Sequence, residues 1–246
     1  CASVQGARVI EVGLDKNFGI DVERISAACN DEVKLVFICS PNNPTGNCIP
    51  LPEVERLAAA LSGRALLVVD EAYIEFAATP STAGLLGRYP NIAVLRTLSK
   101  AWGLAGARVG SLLAHADIVA LLRKIMPPYP VSAPSAAAAL QILQTPDKIA
   151  VRIETILQQR ERLSIAMQQL PGVHRILPSS ANFVTVFFDD AASVYASLQA
   201  AGIVVRDLKR HPGLANALRI TIGTAQQNDT LLAALGAAVM LQSAVS

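Results

Sequence analysis

Residues 92–110 read Ile-Ala-Val-Leu-Arg-Thr-Leu-Ser-Lys-Ala-Trp-Gly-Leu-Ala-Gly-Ala-Arg-Val-Gly, an apolar run of four that breaks into hydroxyls, an amine, glycines and a guanidinium. An uninterrupted apolar run of this length suits a strand covered on both faces, as parallel sheets require. The same grammar occurs twice upstream. Residues 34–39 run into Ser40-Pro41-Asn42-Asn43-Pro44-Thr45-Gly46, and residues 65–69 run into Asp70-Glu71-Ala72-Tyr73. In open α/β sheets ligands sit beyond the carboxyl ends of the strands, so all three polar clusters fall on one rim.

Working outward, 8–12, 34–39, 65–69, 92–95 and 109–114 read as strands, and 21–29 and 52–61 as helices. Pro52 suits a first helical turn, and Leu51, Val54, Leu57, Ala58 and Leu61 share one face. The alternation predicts an α/β fold with a mainly parallel sheet sandwiched by helices. Four prolines within 126–134 exclude a regular helix there. Beyond them the pattern predicts helices over 135–144 and 147–170, a strand over 183–188, a helix over 191–201, strands over 203–206 and 218–222, and a helix over 229–241. The expected division is a large domain over 1–146 and a smaller α+β domain over 147–246 that includes the long connecting helix.

Composition narrows the function classes. Of 246 residues 52% are apolar and 16% charged, which supports a large buried core and excludes a disordered chain. A net charge of +2, with Lys and Arg scattered, offers nucleic acid no basic tract. No apolar run reaches the roughly 18 residues of a membrane span, and no signal peptide is visible. The four cysteines (Cys1, Cys29, Cys39, Cys48) form no CxxC pair and have no histidine at ligand spacing. They predict neither a metal site nor a disulfide framework, and they suit a reduced, cytoplasmic protein. His115, His174 and His211 lie far apart and read as surface or loop residues.

Taken singly, each polar cluster has an ordinary reading: a Pro/Asn/Gly turn, a helix cap at Asp70, a solvated helix start at Ser99-Lys100. Together they supply a carboxylate, an amine, a phenol, an amide, hydroxyls and a guanidinium around one crevice. That set suits a phosphorylated heteroaromatic aldehyde. An amine condenses with the aldehyde, a carboxylate keeps a ring nitrogen protonated, and Arg108 with hydroxyls and backbone N–H groups suits a phosphate dianion.

In order, spacing and wording, residues 40–46, 68–76 and 97–110 resemble three successive motifs of the fold-type I aminotransferases that use pyridoxal 5′-phosphate (PLP). The form Asp-Glu-Ala-Tyr-Ile-Glu-Phe (70–76) is similar to the histidinol-phosphate branch. The resemblance implies that Lys100 binds the PLP aldehyde and shuttles the proton, and that Asp70 pairs with the ring nitrogen. It further implies that Asn43 and Tyr73 bond the ring oxygen and that Thr97, Ser99 and Arg108 hold the phosphate. Arg219 matches an arginine that grips the substrate's anionic end, and Arg206 a second arginine near the substrate. A surface ion pair, with Asp207 or a neighbouring chain, is the other reading of Arg206. Asn182 matches a position near the substrate carboxylate, or is a strand-entry turn residue.

The implied reaction is transamination of histidinol phosphate and 2-oxoglutarate to imidazole-acetol phosphate and glutamate, by a homodimer with shared active sites. An aromatic aminotransferase, a PLP-dependent threonine-phosphate decarboxylase and a non-catalytic PLP-binding fragment are the alternatives. The chain opens at Cys1, inside what reads as structured sequence, and the family's ring-stacking aromatic comes from before that point. The 246-residue chain alone is therefore expected to bind PLP weakly and turn over little; near-normal transamination by it would contradict this reading.

Overall fold

A computed structural model describes residues 2–243; Cys1 lies outside the described residues. Three strands, β1 (Leu35–Cys39), β2 (Leu66–Asp70) and β3 (Ile92–Thr97), pair in parallel and in chain order. A fourth, β4 (Gly110–Ala114), returns antiparallel along β3. Helices α1 (Val22–Ala28) and α2 (Leu51–Ala60) join this layer. Asp21 caps α1 by accepting from the Arg24 N–H at 2.9 Å, and Pro52 sits in the first turn of α2. Val54, Leu57 and Ala58 of α2 pack with Ile38, Leu67, Val69, Ile92 and Val94, the residues that share one face of the sheet. On the other face of the edge strand Leu35 and Phe37 are 53% and 65% exposed.

Helices α3 (Ala116–Ile125), α4 (Ala133–Leu143) and α5 (Pro146–Gln168) lead to a second, wholly antiparallel sheet. Its strands are β5 (Val173–Ile176), β6 (Phe183–Phe188), β7 (Arg206–Asp207) and β8 (Ala217–Thr221), in the order β5-β6-β8-β7. Helices α6 (Ala191–Ala200) and α7 (Ala225–Ser243) pack on it with the later half of α5. Leu163, Met167, Val194, Leu198 and Leu235 close over Val184, Val186, Leu218 and Ile220, giving this sheet its own apolar core.

Several sequence expectations are corrected. Residues 8–12 form no strand: Val9 and Ile10 are exposed, and apolar residues without a neighbouring strand edge gain no ladder. Of 203–206 only Arg206 enters a strand, because the left-handed turn at Gly202 brings the chain to β8 for two residues. Helix α3, ten residues long and as amphipathic as α2, is an addition to the sequence reading, as is strand β5, only four residues long. Helix α4 begins at Ala133, with Pro134 in its first turn rather than before it.

Loops from the two sheets interlock beside the strand ends. Ser180 N donates to Gly46 O at 2.7 Å, and Thr185 Oγ1 donates to Pro44 O. Gly46 has φ +82°, and a Cβ there would lie 2.8 Å from that of Ser179, so this close approach needs glycine. Tyr73, Phe76, Ala101 and Trp102 from one side pack with Ala181, Phe183, Ile153 and Leu157 from the other.

Cys39 pairs in register with Asp70. Burial, reinforced by the Asp70 carboxylate and opposed by the Asn43 N–H, pushes its thiol up to about 11. A thiol with so high a pKa stays protonated at pH 8, so Cys39 should react with a disulfide reagent roughly 100-fold more slowly than an ordinary thiol. Asp70→Asn should accelerate it. Rapid labelling of Cys39 in the folded parent would contradict this placement.

Candidate active site

Parallel register sets the geometry: Cys39, Asp70 and Leu95 lie side by side across the first sheet. Asp70 Oδ1 accepts from the Ala72 N–H at 3.0 Å, and Ser40 N donates to Asp70 O at 2.9 Å. These bonds orient the carboxylate at the strand end and start the 40–46 loop beside it.

Beyond β3 the chain folds into a compact turn. Leu98 N donates to Val109 O at 3.1 Å, Leu104 N to Leu98 O at 2.8 Å and Gly103 N to Lys100 O at 3.0 Å. Thr97 Oγ1 donates to Ser99 Oγ at 2.9 Å and accepts from Ser99 N at 3.1 Å. Gly103 has φ +71°, and a Cβ there would lie 2.8 Å from Arg152 Nη1. Gly110 is equally constrained, since a Cβ would lie 2.9 Å from Arg96 O. Arg108 closes the turn in the left-handed region (φ +56°), donating from Nη1 to Ala105 O at 3.2 Å. Asp70, Thr97, Ser99, Lys100 and Arg108 thereby line one cavity of about 320 Å³.

The remaining candidates form a chain of contacts leading away from that cavity. Lys100 Nζ lies 5.2 Å from the centre of the Tyr73 ring. Tyr73, 5% exposed, meets Phe183 edge-on at 5.2 Å between centroids. The Arg219 guanidinium stacks over Phe183 at 5.0 Å and donates from Nη1 to Asn43 Oδ1 at 2.6 Å. Arg206 lies opposite Arg219 in the β7–β8 ladder and is exposed. Burial lowers the Arg219 pKa; Tyr73 opposes that shift and the charge of Arg206 adds to it. Its buried Nε has no hydrogen-bond partner among the described residues. Asn182 stands apart: its carbonyl accepts from Ile222 N at 2.9 Å, which extends the β6–β8 ladder by one step.

Sequence reasoning did not single out Phe183, which contacts both Tyr73 and Arg219. A phenylalanine inside a buried strand carries no signal that separates such a role from packing. Trp102 packs against the Tyr73 cluster as an apolar wall. His115 caps α3, and His174 pairs with Asp189 at 3.2 Å on the surface. A larger cavity of about 560 Å³ lies beside α5, bordered by Arg160, Glu161 and Ser164, and contains none of the candidate residues. Among the described residues no three His, Cys, Asp or Glu side chains converge as a metal site would require. No helix among them is long and apolar enough to cross a membrane.

A profile of the family "Aminotransferase class I and II" matches residues 1–235. The chain is 50% identical to histidinol-phosphate aminotransferase of Xanthomonas axonopodis pv. citri over 241 residues, covering 96% of this chain and 66% of that protein. It thus spans about two thirds of the length of the curated relatives it matches. Among solved structures it is similar to histidinol-phosphate aminotransferase of Clostridium acetobutylicum, with TM-score 0.91 and 26% identity over 98% of this chain and 74% of that one. It is also similar to the Sinorhizobium meliloti enzyme in complex with pyridoxal 5′-phosphate, with TM-score 0.87 and 32% identity over 98% of this chain and 67% of that one. The architecture is that of fold type I, an α/β layer with a mainly parallel sheet followed by a smaller α+β part. The chain belongs to the class I and II aminotransferase family.

Proposed function

We propose that this chain carries the Lys100-centred part of a PLP-dependent aminotransferase that exchanges an amino group between histidinol phosphate and 2-oxoglutarate, giving imidazole-acetol phosphate and glutamate. The observation that carries the reading is the convergence of Lys100, Asp70, Thr97, Ser99 and Arg108 on one cavity, with Tyr73 beside the lysine. The names of the relatives support the substrate.

The donor set fits PLP: an amine for the aldehyde, a carboxylate for the ring nitrogen, and hydroxyls with a guanidinium for the phosphate. When bound, PLP supplies an electron sink and a carrier for the amino group. Asp70 holds a proton on the ring nitrogen. Asn43 and Tyr73 are the donors to the ring oxygen. Because Arg219 occupies Asn43 Oδ1, the Nδ2 group is the end of that amide left to donate. Thr97, Ser99 and Arg108 hold the phosphate. With PLP bound, the Lys100 amine would be the group placed to move the proton at the substrate Cα. Arg219 and Arg206 grip the anionic ends of the substrates; the partnerless Arg219 Nε supports this, since a carboxylate or phosphate oxygen would satisfy it. Asn182 lies near the substrate carboxylate in this reading.

The division into a cofactor domain over 1–146 and a smaller domain over 147–246 belongs to the same proposal and is supported by two sheets with separate apolar cores. So do a cytoplasmic location and a homodimer that shares its active sites. The partners are small amino and keto acids.

The test uses the full-length gene product. It should turn yellow with PLP, bleach with L-glutamate and recover with 2-oxoglutarate. Carbon dioxide release without need of a keto acid would overturn the transfer reading in favour of a decarboxylase. A preference for phenylalanine over histidinol phosphate would overturn the substrate. Lys100→Ala should lower kcat by at least about 100-fold. Arg219→Lys, which keeps the charge but loses the fork, should raise KM for glutamate about tenfold, with a smaller effect on kcat. An unchanged KM would remove Arg219 from the substrate site.

A further inference from the structure

We infer that Arg96, acting through Glu71 and Glu75, is a positioning residue that fixes Tyr73 against Lys100; the inference rests on the cofactor reading above. Glu71 and Glu75 flank Tyr73 by two residues on each side, and both carboxylates reach the same guanidinium. Arg96 Nη2 lies 2.8 Å from Glu75 Oε1, and Arg96 Nη1 lies 3.6 Å from Glu71 Oε2. Arg96 sits on β3, four residues before Lys100. One planar fork therefore joins the turn that bears Tyr73 to the strand that leads into the lysine turn.

The turn needs such a tie. Its last backbone bond to the first sheet is Glu71 N to Leu95 O, at 2.9 Å. After that its backbone is held by Ala72 N to Asp70 Oδ1 at 3.0 Å and by its own bonds, Ile74 N to Glu71 O at 3.2 Å and Phe76 N to Tyr73 O at 3.0 Å. The short 3-10 segment that follows Tyr73 has no side-chain cap. Glu71, 1% exposed, is itself anchored, accepting from Thr82 N at 2.6 Å and from Ser81 Oγ. Arg96 and Thr97 both border the cavity, so the fork that holds the two carboxylates stands at the rim of the site itself.

The network is not arranged for stability alone. Arg96 Nε and Glu75 Oε2 are buried without hydrogen-bond partners among the described residues, and an imperfectly satisfied buried ion cluster contributes little net stability. What the guanidinium supplies is direction: it hydrogen-bonds the Glu75 carboxylate and lies within ion-pair distance of that of Glu71, four residues earlier.

The experiment is a double-mutant cycle read by PLP affinity in spectroscopic titrations of the full-length gene product. Arg96→Lys keeps the charge and loses the fork. It should weaken PLP binding about tenfold in the parent and less than about twofold when Tyr73 is already Phe, because its effect passes through the Tyr73 hydroxyl. Equal losses in both backgrounds would mean general damage and would overturn the inference. Two further variants decide the matter if Arg96→Lys does not fold. Glu75→Ala should follow the same Tyr73-dependent pattern. Glu75→Gln, whose amide oxygen still meets Arg96, should stay within about twofold of the parent. Folded Glu75→Ala with parental affinity would also overturn it. If the parent itself shows no PLP-dependent band, the proposed function falls and this inference falls with it; a normal band with additive losses removes only the inference.

Discussion

Parallel pairing of residues 35–39, 66–70 and 92–97 is the constraint on which the site depends. Parallel register brings equivalent ends of successive strands to the same edge, so Cys39, Asp70 and Leu95 lie abreast and the three polar segments start from one line. The carboxylate, the lysine turn and the 40–46 loop need no further device to meet. A shift of one residue in β2 would turn Asp70 to the opposite face and place Glu71 beside the cavity. The apolar face against α2 opposes that slip, since Leu67 and Val69 would leave the core with it.

What the second half of the chain adds is a wall and a grip. Phe183 stands at the junction, edge-on to Tyr73 and beneath Arg219, while Arg219 reaches across to Asn43. A residue proposed to hold the cofactor ring oxygen and one proposed to hold the substrate are thus in direct hydrogen-bond contact. The interlocked loops at Gly46 and Ser179 keep that junction close.

Much of this was legible in the sequence because the relevant signals are local. Apolar runs leading into the segments of Asn43, Asp70 and Lys100 marked strand ends, whereas the close approaches at Gly103 and Gly110 show only in the fold. Longer amphipathic stretches such as α2 and α5 carried their periodicity openly. The misses have a common physical cause. Residues 8–12 looked like a strand, but strand formation depends on a neighbour that sequence does not name. β5 and β7 are too short for periodicity to register, and their pairing with β6 and β8 is long-range. The same limit hid Phe183, whose place between Tyr73 and Arg219 depends on how two separate sheets meet. Glu71 and Glu75 both pair with Arg96, and that one guanidinium serves both could not be read from spacing alone.

The central claim is that Lys100 forms the covalent bond to the cofactor, and peptide mapping after borohydride reduction tests it most directly. The full-length gene product loaded with PLP should carry the reduced cofactor on the peptide that contains Lys100, in stoichiometric amount. Label on another lysine such as Lys124 or Lys148, or a visible PLP band that leaves the Lys100 peptide unmodified after reduction, would contradict the account.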